Sequence, residues 1–231
     1  MKKYELTAEF IEKWGKKLFR IKALISFGRV EVGELGGYVE KEDNLAQDGN
    51  AWVYGNAWVY GNARVCGNAR VYGNAEVYGN ARVCGNAWVY GNAEVYGNAE
   101  VYGDAEVCGN AWVCGNAEVY GDARVYGNAE VYGNARVCGD ARVCGDADYL
   151  LIGRIGSRFS FTTFFKNKDK GITVSCGCFL GTIAEFRAKV SDTHGNNKHA
   201  KIYNLAADMA ELQILGEEHF DKLNTNKSEP F

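Results

Sequence analysis

Four residues near the C-terminal end carry side chains that could hold a metal: Cys176, Cys178, His194 and His199, spaced Cys-x-Cys-x15-His-x4-His. Cysteines two apart on a strand share a face, and thiolate and imidazole are the usual zinc ligands, but structural zinc sites separate paired cysteines by two to four residues. The four are therefore a weak metal candidate, and a packed hairpin cysteine pair is the expected alternative. A thiolate nucleophile activated by His194 is weaker still, because no third orienting group can be assigned. The same stretch supplies donors suited to an anion: Ser157, Arg158, Thr162, Thr163, Lys166, His194 and Lys198. They fall near predicted turns and helix starts, where backbone amides also favour negative charge. Phe161, Phe164 and Phe165 lie among them and could stack on a base.

Charge patterning points to the same region. The 231-residue chain has a net charge of −3, yet residues 151–203 carry nine Lys and Arg against three Asp and Glu, while 49–150 carry six against eleven. A basic segment beside an acidic one suggests a small anionic ligand and disfavours extended nucleic acid, which the acidic part would repel. No run approaches the ~18 apolar residues of a membrane span, and Met1–Trp14 is charged rather than signal-like, so the expected location is the cytosol. Eight cysteines in such a chain read as thiols.

The elements that position these residues begin with a repeat. Seventeen copies of Gly-Asn/Asp-Ala-X-Val-Tyr/Cys run from Gly49 to Leu150 without insertion. A fixed short period with Gly and Asn/Asp in phase predicts a solenoid of short strands and corners. Alternation puts Ala and Val on one face and X with Tyr/Cys on the other; Val is invariant from Val53 to Val143 while X varies, so Ala and Val are the predicted core. Every eighteenth residue falls on one outer face: Trp52, Arg70, Trp88, Glu106, Arg124 and Arg142; then Trp58, Glu76, Glu94, Trp112, Glu130 and Asp148; then Arg64, Arg82, Glu100, Glu118 and Arg136. Trp52, Trp58, Trp88 and Trp112 are the expected partner or oligomer surface.

Flanking segments read differently. Residues 1–48 form a strand-rich cap, with strand character in Lys2–Thr7, Lys17–Ile25 and Arg29–Val32 and a degenerate first coil from near Gly36, in which Val39 and Leu45 fall in phase with Ala51. Residues 151–223 read as a basic ββαα unit: a hairpin of Phe159–Phe165 and Ile172–Phe179, a helix opened by Thr182 and Glu185, and a second helix, Lys198–Leu215, carrying Ile202, Leu205, Met209, Leu212 and Leu215. Residues 224–231 are an expected flexible tail.

The recurrence of Val53-Ala57, Val59-Ala63 and their successors resembles the hexapeptide-repeat family, which implies an all-β solenoid: a left-handed parallel β-helix with triangular coils of three hexads, here with a small α+β unit at its end. Relatives of that fold often trimerise, so the implied state is a homotrimer or homodimer. Many are coenzyme A-dependent acyltransferases using a histidine beside the coils, but His194, His199 and His219 all lie outside the repeat. Lys3-Tyr4-Glu5-Leu6-Thr7, Gly36-Gly37-Tyr38-Val39-Glu40, Ile155-Gly156-Ser157-Arg158, Thr162-Thr163-Phe164-Phe165, Val174-Ser175-Cys176-Gly177-Cys178-Phe179 and Thr193-His194-Gly195 resemble hexapeptide-repeat proteins of phages and prophages of Gram-positive gut bacteria. That resemblance implies a mobile-element protein in the host cytosol. The expectation is a non-enzymatic, cofactor-free oligomer whose basic end captures a nucleotide-like anion, with countering host defence as the use that the resemblance implies. The alternatives are a scaffold or protein-interaction module, with a host protein as partner, and an acyltransferase.

Overall fold

The computed structural model describes residues 2–218; His219 and the expected tail at 224–231 lie outside them. From Trp52–Val53 to Arg142–Val143 the chain makes sixteen two-residue strands, one per hexad. Parallel pairing every eighteen residues, as in Trp88↔Glu106 and Val89↔Val107, stacks them into three sheets up to six rungs deep before the flanking strands are added. The three sheets are the three faces read from the sequence, except that Asp148 leaves its column for a 3-10 turn, Asp146–Asp148. From Ala51 to Val143 every hexad Ala and Val is essentially inaccessible, so the interior is filled by these two side chains, while Ala147 of the drifting last copy is exposed.

Corners follow from the glycines. From Gly49 to Gly139 each hexad glycine has φ between +58° and +74°, a region costly for side-chain-bearing residues. Stacking adds a second demand: a Cβ at Gly85 would lie 2.9 Å from the backbone nitrogen of Gly103 in the next coil. Beside the glycines, amide ladders link the rungs. Asn62, Asn80, Asn98, Asn116 and Asn134 hydrogen-bond in series at 3.0–3.3 Å. Tyrosines stack likewise; Tyr60, Tyr78 and Tyr96 have centroids 4.9 Å apart and planes within 3°. Two of the cysteines in the Tyr/Cys slot depart from the thiol expectation: Cys66 and Cys84, one coil apart, form a disulfide, while six described cysteines are free.

At the N-terminal end, β1 (Tyr4–Lys13) and β2 (Lys16–Ala23) form a hairpin that pairs through β3 (Leu35–Val39) onto the Trp58–Val59 rung. Residues 29–32 make only an isolated bridge, Phe27↔Val30, instead of the expected strand. Val39 pairs with Val59 and Leu45 with Val65. Both offsets are twenty residues rather than eighteen, so these side chains occupy valine slots, not the alanine phase of Ala51. An insertion of two preserves the strand alternation, which is why the degenerate coil still buries its apolar residues.

The C-terminal unit has four antiparallel strands rather than two: Tyr149–Ile155, Ser160–Lys166, Ile172–Cys176 and Phe179–Thr182. The first starts inside the last hexad, where the repeat drifts to Asp148-Tyr149-Leu150. Two helices follow, α1 (Ile183–His194) and α2 (Lys198–Leu215). Thr182 and Glu185 form the expected capping box on α1, and Asn197 caps α2 by accepting from the amides of His199 and Ala200. Strand alternation splits two adjacent phenylalanines between cores: Phe165 closes the solenoid interior, and Phe164 packs among Val174, Phe186 and Ala207 beneath the helices. The sheet therefore seals the last coil. No helix among the described residues is long and apolar enough to cross a membrane.

Candidate functional site

Strand alternation separates the residues expected to hold an anion. Thr162 and Thr163 are buried on opposite faces of the Ser160–Lys166 strand, 0% and 2% exposed. Thr163 faces the solenoid, where its hydroxyl accepts from the Arg136 amide at 3.1 Å; Thr162 faces the helices, where its hydroxyl lies 3.2 Å from Cys176 Sγ. Lys166 is engaged with Asp148 at 2.9 Å. Phe164 and Phe165 are core residues and offer no stacking surface. Ser157 and Lys198 are exposed, the first on the turn after Ile155 and the second at the start of α2. The seven residues do not form one site.

Arg158 and His194 do converge, on Tyr203, which the sequence did not single out. His194 stacks on the Tyr203 ring with centroids 5.7 Å apart, and Arg158 is close enough to favour the phenolate electrostatically. Burial, with Cys176 alongside, nevertheless pushes Tyr203 up to about 12. Gly156 packs directly against this ring, leaving no room for a side chain. Cys176, Phe179, Phe186, His194 and Tyr203 line a cavity of about 100 Å³, large enough for a few waters and too small for a nucleotide.

The zinc candidates also part. Cys176 and His194 share that cavity, whereas Cys178 lies exposed on the turn before Phe179. His199 touches His194 at 5.7 Å and its Nδ1 is buried without a hydrogen-bond partner. Among the described residues no three His, Cys, Asp or Glu side chains are arranged to hold a metal ion.

Part of the basic segment is structural. Lys168 pairs with Asp140 at 3.2 Å, and Arg187 joins α1 to α2 through Asp208 at 2.8 Å and Glu211 at 2.7 Å. Glu211 is buried, so Arg187 neutralises a carboxylate that would otherwise be stranded. Arg187→Leu should lower unfolding stability by about 2 kcal/mol, below the range for wholly buried pairs because Arg187 keeps 23% of its side-chain exposure. Adding Glu211→Leu should recover most of the loss, measured by urea denaturation. With Glu211→Leu also measured alone, a double-variant loss equal to the sum of the two single losses would show that the pair carries no coupling.

The tryptophans divide into covered and open. Trp52, expected on a partner face, is fully buried by the N-terminal cap, edge-on to Tyr4 at 6.1 Å and to Phe27 at 5.4 Å. Trp58 is half-covered by the hairpin tip, with Trp14 at 6.1 Å and the Lys13 ammonium 4.8 Å above its ring. Of the four repeat tryptophans, Trp88 and Trp112 stay open, 37% and 40% exposed, on different faces. The Arg70 guanidinium sits 5.3 Å over Trp88, and Tyr72 meets it edge-on. An open groove of about 430 Å³ runs beside this pair, with Asn68, Asn86, Asp104 and Glu106 on its walls. Trp112 instead stands in an acidic column between Glu94 and Glu130. Higher in that column, burial and the neighbouring Glu94 raise the Glu76 carboxyl above its ordinary range. A larger concavity, about 730 Å³, lies where the incomplete first coil leaves Arg64 uncovered; Lys41, Glu42, Asp48 and Asn62 share its rim.

Fold and surface together define a β-solenoid repeat protein with a four-stranded, two-helix C-terminal unit. Residues 63–79, 75–91 and 129–145 match the YdcK β-solenoid repeat, each stretch close to one turn of the coil. Comparison with curated proteins gives no match.

Proposed function

We propose that the protein is a non-enzymatic interaction scaffold, a capped solenoid that recognises another protein through the face bearing Trp88. The observation that carries this reading is the open groove in which Trp88 is braced by Arg70 and flanked by Asp104 and Glu106. An exposed tryptophan with charges of both signs around it has the composition of a protein-binding hot spot. The coil interior supports the same reading, since Ala and Val fill it. The described histidines, His194 and His199, belong to α1 and α2 rather than to a coil, which gives acyl transfer no imidazole on the solenoid. The resemblance to phage and prophage hexapeptide-repeat proteins supports a mobile-element setting in a host cytosol, with a host-defence protein as the partner class.

Capture of a small anion is the second reading, favoured by the approach of Arg158 and His194 to Tyr203. Thermal unfolding with millimolar nucleotides or coenzyme A separates the two. The scaffold reading expects a melting temperature unchanged by any of them. A rise of several degrees, as saturation of a specific site produces, would overturn it.

A further inference from the structure

Helix α2 has two apolar faces. Ala200, Tyr203, Ala206, Ala207, Ala210 and Ile214 are buried within the C-terminal unit. Ile202, Leu205, Met209 and Leu212, which the sequence pattern marks as the main stripe of this helix, point outward instead and are 39%, 62%, 56% and 45% exposed. At about 100° per residue the two faces lie on nearly opposite sides of the helix. Outward-facing helix positions in a monomer are ordinarily polar, and among the described residues nothing covers the stripe.

We infer that the stripe is a self-association seam, in which a second copy of this chain packs its own α2 antiparallel about a twofold axis. The spacing of three, four and three residues is that of an a/d helix-pairing seam. Because the spacing reads the same in both directions, an antiparallel copy sets Ile202 opposite Leu212 and Leu205 opposite Met209, as an isologous contact requires. Charge selects this direction. Lys198 and Lys201 are exposed at the N-terminal end of α2, and Glu217 and Glu218 are exposed just beyond its C-terminal end. Antiparallel packing brings each basic end beside an acidic one, whereas parallel packing would set like charges together. Opposed helix dipoles favour the same arrangement. The seam is also held in place: Arg187 ties α2 to α1, and Gln213 donates to the Tyr149 carbonyl at 2.9 Å, anchoring it to the sheet.

This inference concerns the opposite end of the molecule from the Trp88 groove and goes beyond the scaffold reading. Sedimentation equilibrium of the full chain over roughly 1–100 µM tests it. The wild type is expected to dimerise in this range. Leu205→Glu with Met209→Glu should be monomeric throughout with an unchanged circular dichroism spectrum, because both side chains are exposed. Lys198→Glu with Lys201→Glu should weaken the dimer roughly tenfold, and adding Glu217→Lys with Glu218→Lys should restore it. Trp88→Ala should dimerise like the wild type, so loss of the Trp88 reading would leave the seam intact. A wild type that stays monomeric, a dimer that survives the two glutamates, or a charge reversal that fails to restore association would overturn the inference.

Discussion

Gly85→Val should break the solenoid in its middle. The backbone at Gly85 has φ +70°, and the new Cβ would sit 2.9 Å from the nitrogen and 3.0 Å from the carbonyl oxygen of Gly103. Left-handed backbone costs a side-chain-bearing residue roughly 1–2 kcal/mol, and pushing the next coil aside costs about 1–3 kcal/mol more. The expected loss is about 2–5 kcal/mol, the sum of those ranges. Each coil contacts only its neighbours, so the damage should also split urea unfolding into two transitions. Asn86→Ala is the control. It removes one amide from the ladder between Asn68 and Asp104 and should cost about 1 kcal/mol or less, with one transition retained. A Gly85→Val protein that unfolds in one step at the wild-type midpoint would refute the coil stacking.

Alkaline pH should unfold the protein through its tyrosine columns. A hydrogen bond shared with Cys114, reinforced by burial, holds Tyr96 at about 12, and burial with Glu118 alongside holds Tyr102 at about 12. Tyr60, Tyr78, Tyr90 and Tyr120 are pushed upward as well; for Tyr78 the causes are burial and its hydrogen bond to Glu94 at 2.8 Å. An unfolded tyrosine ionises near pH 10. The folded state therefore binds more protons than the unfolded state above that pH, and stability falls as pH rises. The tyrosine contribution is complete below about pH 10 and, for Tyr96 and Tyr102, is lost as pH climbs through about 12. Each column residue contributes on the order of 1 kcal/mol after allowance for its partial exposure. Phenolate absorbance should rise in one step together with loss of the β-sheet circular dichroism signal. Gradual titration centred near pH 10 with the sheet signal intact would contradict the stacks.

The repeat was legible as far as Val143 because its information is local and periodic, and it failed at Asp148, which leaves its column for a 3-10 turn. Ala and Val alternate with X and Tyr/Cys, Gly keeps one phase, and counting by eighteen recovers the three sheets. What escaped the sequence depends on contacts between segments far apart in it. Trp52 looks like any other outward tryptophan until Tyr4 and Phe27 cover it. The shift to twenty residues at Val39 preserves alternation and so leaves no mark in the hydrophobic pattern.

In the C-terminal unit the two helices were readable, whereas two of the four strands and the burial were not. Hydrophobic periodicity favours the larger side chains Ile202, Leu205, Met209 and Leu212, yet α2 approaches its neighbours closely with alanines and turns those larger residues outward. The expected anion site failed for a related reason. Side-chain chemistry brought Thr162 and Thr163 into one list, and strand alternation pointed them in opposite directions. Tyr203 went unnoticed because its significance comes from His194, Cys176 and Gly156 meeting around it, none of which is its sequence neighbour.

Native mass spectrometry on protein purified from a bacterial cytosol tests the scaffold reading most directly, because one spectrum reports assembly and retained ligands together. The account predicts species at whole multiples of the 25.4 kDa chain, with no small molecule released on denaturation. A stoichiometric excess of a few hundred daltons per chain that leaves on denaturation would contradict it and establish small-molecule capture instead.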